Sequence, residues 1–164
     1  QPPILDGSNA GEMDLICYLD GVVLLLEVKS GFIRSSRHEV WLHRTNTLRK
    51  AARQLRRKQH ALQPLLNSDQ TLRRDLSLPD ANAALPIHAW VVDTSIECDG
   101  ELLDGFRVVS REVMEVVLKD QKHYLQHLET EKDLEIQTLY PDGFSAQTFV
   151  DVVTNEAVWR GLLP

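Results

Sequence analysis

The dipeptide Asp20-Gly21, set between two runs of β-branched and apolar residues, constrains the fold of this chain more than any other feature. A two-residue type I′ turn requires positive φ at both of its central positions, and Asp-Gly is one of the sequences that adopt it readily. The sequence therefore predicts a β-hairpin over residues 11–29, with Leu19 paired to Val22.

This register brings four ionisable side chains to the open end of the hairpin. Asp14 lies opposite Glu27 and Glu12 lies opposite Lys29, and directly opposed side chains point to the same face of the sheet. Both strands are otherwise apolar on both faces, which predicts that they run through the middle of a covered sheet. A frayed hairpin end with a Glu12–Lys29 salt bridge is the simpler interpretation, but it leaves the opposed carboxylates unexplained.

Two opposed carboxylates in a buried sheet indicate a bound divalent cation. Like charges on adjacent strands repel, and a buried carboxylate is costly unless it is paired or binds a cation. Mg2+ prefers carboxylate oxygens and keeps several of its waters, so it suits Asp14 and Glu27. Lys29 beside them suits an anionic substrate.

Asp14, followed thirteen positions later by Glu27-Val28-Lys29, resembles the D…E-x-K signature of the PD-(D/E)XK nuclease superfamily. The resemblance covers roughly residues 11–66, in the variant where a Gly-Glu-x-Asp strand precedes a hydrophobic strand ending in Glu-Val-Lys. It implies an α/β, restriction-endonuclease-like fold, in which helices flank a central mixed β-sheet, here with a C-terminal α/β extension.

The resemblance also implies a role for each residue at the open end of the hairpin. Asp14 and Glu27 would hold Mg2+ or Mn2+, and the backbone carbonyl of Val28 would be a further ligand. Lys29 would position or activate the attacking water, while Glu12 would orient Lys29 or serve as an accessory ligand. The implied activity is that of a Mg2+-dependent endo- or exonuclease, a hydrolase acting on phosphodiester bonds.

Charge is distributed unevenly along the chain. The formal net charge is −6, yet residues 34–58 carry nine basic residues against the single acid Glu39, and residues 97–156 carry fourteen acids against five bases. A basic element directly after an acidic metal site is where a nuclease would contact phosphates. The acidic half is expected to be solvated or to dock a protein partner.

Leucines and alanines at three- and four-residue intervals predict a long helix over residues 37–66. Arg49, Arg53 and Arg56 follow one flank of this helix and are the predicted nucleic-acid contacts, with DNA as the expected partner. Gln54 lies at the edge of the apolar stripe, roughly where some members of the resembled family carry a glutamine that contacts the active site. A solvated helix face is the alternative for the basic run.

The rest of the chain continues an α/β pattern. Residues 87–96 and 106–110 are predicted to be strands, and residues 67–85 have the composition of a loop. Ser110 and Ser145 are expected to cap two helices, which end near residues 128 and 159 respectively.

A chain of 164 residues can bury one core, so we expect one domain over residues 1–164, with a core at about 10–100 and an extension at about 101–164. Because the chain starts at Gln1 only a few residues before a core strand, we expect it to be a piece of a longer protein with an upstream domain. Cys17 and Cys98 offer no disulfide framework. No apolar run approaches the roughly 20 residues of a membrane span, and together these features favour a cytoplasmic protein without a membrane partner.

Other catalytic patterns in the sequence are weak. His38 and His43 come close to the zinc motif H-E-x-x-H, but the second histidine is one residue late, and His123 and His127 share a helix face without a third ligand. Two alternatives to a DNA nuclease stay open. One is an RNA-directed nuclease with the same site, and the other is a nuclease-like module that binds or assembles without turnover.

Overall fold

The computed structural model describes residues 11–79, 85–122 and 138–160. The strands within these ranges are β1 (Leu15–Leu19), β2 (Val22–Lys29), β3 (Ile87–Asp93), β4 (Leu102–Leu103) and β5 (Phe106–Ser110). They form one five-stranded sheet in the order β1-β2-β3-β5-β4, in which β2, β3 and β5 are parallel and the outer strands are antiparallel to their neighbours. The expected α/β class, with a mixed sheet flanked by helices, is confirmed.

The helices of the described residues are α1 (Arg37–Leu42), α2 (Arg49–Ser68), α3 (Gln70–Asp75), α4 (Arg111–Lys119) and α5 (Ala146–Thr154), and a π-helical segment (His43–Leu48) joins α1 to α2. The helix predicted over residues 37–66 is therefore confirmed as one continuous run, but its sequence did not predict the π segment. The run also continues past Pro64, because Leu62 and Leu66 are buried and hold the last turn in place although proline lacks a donor.

The hairpin forms as its turn sequence predicts. Asp20 and Gly21 have φ values of 45° and 85°, and the strands pair through five residue pairs beginning with Leu19 and Val22. The expectation of a sheet covered on both faces holds for β2 but not for β1. β1 is an edge strand of the described sheet, so Leu15 is 45% exposed.

Two element boundaries in the middle of the chain differ from expectation. The segment predicted as a loop at residues 67–85 contains α3, because the Asp69 side chain accepts hydrogen bonds from Thr71 and Leu72 and so caps a short helix. β3 ends at Asp93, three residues before the expected end, and the chain turns there.

Ser110 and Ser145 cap α4 and α5 as predicted, since each hydroxyl accepts a hydrogen bond from the backbone N–H three residues later. Both helices are shorter than expected. α4 ends where Asp120 adopts a left-handed backbone conformation with φ of 53°, and α5 ends at Thr154. His123 and His127 lie outside the described residues.

Side chains alternate between the two faces of the sheet along β2, and this decides which groups meet. Val23 and Leu25 are buried with the leucines of α2, whereas Val22, Leu24 and Leu26 are buried with residues of α4 and α5. By the same alternation, Glu27 and Lys29 lie on the α2 face. The end of β2 therefore presents one acid and one lysine to the long basic helix.

Cys17 and Cys98 are both free, and neither is part of a disulfide. Burial raises the pKa of the Cys98 thiol to about 11, so this thiol stays protonated at neutral pH. None of the helices in the described ranges combines the length and hydrophobicity that a bilayer-spanning helix needs.

Candidate active site

A buried glutamate held between two lysines lies at the carboxyl end of β2. Glu27 is only 2% exposed. Lys29 Nζ donates a hydrogen bond to Glu27 Oε1 at 2.7 Å, and Lys58 Nζ, from α2, donates one to Glu27 Oε2. Each carboxylate oxygen thus faces an ammonium group, which is what a buried ionised glutamate requires.

Asp14 joins this cluster from the residue directly before β1. Its Oδ2 accepts a hydrogen bond of 2.8 Å from the backbone N–H of Val28, and its Oδ1 lies 3.9 Å from Lys58 Nζ. The Asp14 side chain is 32% exposed, so the cluster opens to solvent on this side. The ammonium group of Lys58 therefore lies near both predicted metal-binding carboxylates, Asp14 and Glu27.

The structure brings together Asp14, Glu27, Val28 and Lys29 of the predicted site, but not Glu12. The ladder between β1 and β2 ends before it reaches Glu12, whose side chain is exposed and makes no hydrogen bond to a described residue. Lys29 pairs with Glu27 on its own strand instead.

Lys58 is the site residue that the sequence analysis missed, because it was counted only as one member of the basic run. A signal was present: Ala51, Leu55, Lys58 and Leu62 are spaced by four, three and four residues, which puts the lysine inside the apolar stripe of the helix. The side chain of Lys58 is 5% exposed. A lysine in such a stripe requires a buried acid as its partner.

Two of the three predicted phosphate contacts bind the turn between β4 and β5. Arg53 Nε donates to Asp104 Oδ2 at 3.2 Å, and Arg56 donates to the backbone carbonyl of Asp104. Arg49 Nε is buried without a partner among the described residues. Each arginine is about 140° or more around the helix from Lys58, since successive residues are about 100° apart.

The opposite flank of α2 is the one that adjoins the cluster. Gln54 is half-buried one helical turn before Lys58, and Lys50 and Arg57 are exposed within about 100° of it. Neither Lys50 nor Arg57 forms an ion pair with a described residue. This flank combines the predicted Gln54 with two available cations beside the carboxylates.

A second polar network lies beside Lys29 on β3. Asp93, which is fully buried and in register with Lys29, accepts a hydrogen bond of 2.7 Å from the Ser95 hydroxyl and lies 2.8 Å from His43 Nε2. Arg34 in turn donates to Ser95. His43 belongs to the π-helical segment, and Arg34 belongs to the loop after β2. Both segments therefore form polar contacts with the same end of β3.

The donor set of the cluster suits a hard divalent cation. The Asp14 and Glu27 carboxylates and the Val28 carbonyl are all oxygen donors, and Mg2+ is commonly held by one or two carboxylates with water and substrate oxygens completing its shell. The described residues contain no group of three or more His, Cys, Asp or Glu placed to hold a metal. Lys29 and Lys58 contact the two carboxylate oxygens of Glu27, which are the atoms that a metal ion would bind.

The fold and the cluster define a mixed α/β protein with an acid–lysine site at the open end of its first hairpin. No family model, curated protein or solved structure shows a significant match to this chain.

Proposed function

We propose that this chain is a Mg2+- or Mn2+-dependent nuclease domain of the PD-(D/E)XK kind, with a restriction-endonuclease-like fold, which hydrolyses phosphodiester bonds in DNA. The observation that carries the proposal is the convergence of Asp14, Glu27 and Lys29 at one end of the hairpin, with Glu27 buried. Burying ionised groups costs free energy that well-packed apolar residues would not cost. A site that binds a cation and a phosphate accounts for that cost.

The roles of the residues follow from their contacts. Asp14, Glu27 and the Val28 carbonyl would hold the cation, which when bound polarises the scissile phosphate and lowers the pKa of a coordinated water. Lys29 pairs with Glu27 and is 26% exposed, so it can also approach a bound phosphate. It would orient the attacking water and offset the negative charge that develops on the phosphate oxygens. Lys58 donates a hydrogen bond to Glu27 Oε2 and so fixes the orientation of this carboxylate.

Metal binding is the first test of this proposal. Isothermal calorimetry should detect Mg2+ or Mn2+ binding to the wild type, and we expect it to weaken strongly in Asp14→Asn and in Glu27→Gln, because each variant loses one carboxylate ligand but keeps its shape. Asp20→Asn, at the other end of the hairpin, is the matched control and should bind like the wild type. Equal affinity in all four proteins would remove the site.

One observation favours a nuclease-like module without turnover. Both oxygens of Glu27 already have lysine partners, so the cluster is electrostatically complete without a cation. The acidic half of the chain also supplies partners to the basic half, through the ion pairs Arg44–Glu101 and Arg53–Asp104.

Incubation of the protein with plasmid DNA, single-stranded DNA or RNA in the presence of Mg2+, with EDTA as control, distinguishes a nuclease from a binding module. Cleavage of RNA alone would favour the RNA-directed nuclease, and binding without cleavage would favour the module.

The two flanks of α2 make different predictions for DNA binding. Each phosphate contact that is lost should flatten the slope of log affinity against log salt by about 0.9 on duplex DNA. We expect glutamine at Lys50 and Arg57 to flatten the slope more than glutamine at Arg53 and Arg56, because the second pair already has a partner in Asp104.

Fluorescence anisotropy at four salt concentrations measures both slopes, with the wild type as reference. A larger change from Arg53 and Arg56 would mean that DNA replaces Asp104 as their partner, as the sequence alone predicts. An unchanged slope in both variants would mean that α2 faces solvent.

A further inference from the structure

Two apolar residues project from the loop that follows β2. Phe32 and Ile33 are 93% and 91% exposed, and they come three and four residues after Lys29. Single exposed apolar residues are ordinary on protein surfaces. Here two adjacent apolar side chains are almost fully exposed and follow a candidate active site in the chain. This arrangement indicates a surface that binds a ligand.

The base of this projection is fixed on both sides, so its exposure does not result from a loosely held loop. On one side, the backbone N–H of Gly31 donates to Thr94 Oγ1 at 2.9 Å. On the other side, the Arg34 backbone N–H donates to Glu97 at 3.2 Å, and its guanidinium donates to Ser95 at 2.6 Å. Both anchors lie just after β3, beside the strand end that carries Asp93. The two apolar side chains are therefore held out in a defined place.

We propose that Phe32 stacks on, and Ile33 packs against, unpaired bases of the nucleic acid whose backbone enters the site, so that the substrate contains a single-stranded segment at the cleavage position. This inference rests on the proposed function. Three residues of extended chain span at most about 10 Å, so the bases that Phe32 reaches belong to nucleotides close to the scissile phosphate. Bases inside a duplex are already stacked on one another and leave no face free.

The size of the projection favours bases over a protein partner. Two side chains of this kind bury at most about 400 Å², whereas a stable protein interface needs about 800 Å² from each partner. Stacking on an aromatic ring, by contrast, requires only one base. Arg37, four residues after Ile33 in the sequence, is exposed and has no ion pair with a described residue. Cations beside aromatic rings are typical of single-strand binding surfaces.

Binding measurements in Ca2+, which we use in place of Mg2+ to limit cleavage, test the proposal. The probes are a fluorescently labelled single-stranded oligonucleotide and the blunt duplex of the same sequence. In the double variant Phe32→Ala/Ile33→Ala we expect single-strand affinity to fall about 5- to 150-fold, with duplex affinity changed less than about twofold. Phe32→Tyr should retain binding because it keeps the ring.

Leu118→Ala is the matched control, since Leu118 is a 60% exposed apolar residue on α4. This helix packs on the face of the sheet opposite to the one that α2 covers. It should bind both probes like the wild type. Because Phe32 and Ile33 bury almost nothing, the variants should unfold at the wild-type temperature, and this is measured alongside.

Equal losses for the two probes, or no loss for either, would overturn the inference. The outcome is separable from that of the proposed function. Wild-type protein that cleaves in Mg2+ while the double variant still binds single strands normally would refute only the stacking. Wild-type protein that binds single strands through Phe32 and Ile33 but never cleaves would refute only the nuclease.

Discussion

Replacing Lys29 with alanine is expected to lower the cleavage rate by about 100-fold or more while leaving nucleic-acid affinity nearly unchanged. The ammonium group of Lys29 is 2.7 Å from Glu27 Oε1 and is partly exposed, so it can act on the attacking water and the reacting phosphate. Most contacts with the phosphates would come from basic side chains other than Lys29. Glu27 keeps Lys58 as its partner in this variant, so the protein should remain folded.

Lys29→Arg should also cleave poorly, because a planar guanidinium cannot replace a compact ammonium at a crowded strand end. Single-turnover cleavage with saturating protein, measured beside a binding curve for each variant, separates chemistry from affinity. Cleavage by Lys29→Ala at near the wild-type rate would mean that these residues are not a hydrolytic site, and the binding module would then be the better proposal.

Replacing Lys58 with methionine is expected to lower the free energy of unfolding by about 3–5 kcal/mol. The cause is that the buried Glu27 carboxylate loses its buried ammonium partner and keeps only Lys29, whose side chain is 26% exposed. Chemical denaturation at neutral pH measures the change. The additional replacement Glu27→Gln should recover much of the loss, since it removes the carboxylate charge that Lys58 neutralised. Lys50→Met, an exposed lysine on the same helix, is the control and should change stability by less than about 0.5 kcal/mol.

The variant Lys58→Met also tests whether Lys58 and Mg2+ compete for the Glu27 carboxylate. We expect Mg2+ to raise the unfolding temperature of Lys58→Met more than that of the wild type, because the cation then neutralises Glu27 without competing against the lysine. An equal or smaller rise in Lys58→Met would place the cation away from Glu27. In the denaturation experiment, a loss of unfolding free energy below about 1 kcal/mol in Lys58→Met would mean that Glu27 and Lys58 do not form a buried ion pair.

The sequence predicted the local elements well, because the chemistry that forms them is local. Asp20-Gly21 set the turn and the register of the first hairpin, and Ser110 and Ser145 marked the starts of two helices through their own side-chain hydrogen bonds. Helix ends were predicted less well. The left-handed conformation of Asp120, for example, has no strong sequence signal.

The candidate site was only partly visible in the sequence. Asp14, Glu27 and Lys29 could be related because one hairpin carries all of them. Lys58 could not be assigned to Glu27, since the two are 31 residues apart and meet only when α2 crosses the sheet. The network of His43 with Asp93 was hidden for the same reason, and it also depends on a π-helical segment that ordinary helical periodicity does not reveal.

The sequence by itself determined the hairpin, its register and the uneven charge of this chain, since each depends on neighbouring residues or on composition. The tertiary structure decided which charges remain available. It paired Arg53 and Arg56 with Asp104, buried Lys58 against Glu27 and left Lys50 and Arg57 on the flank beside the carboxylates. The physical reason is that the partner of a charge depends on how helices pack on the sheet, and packing brings together residues that are distant in the chain.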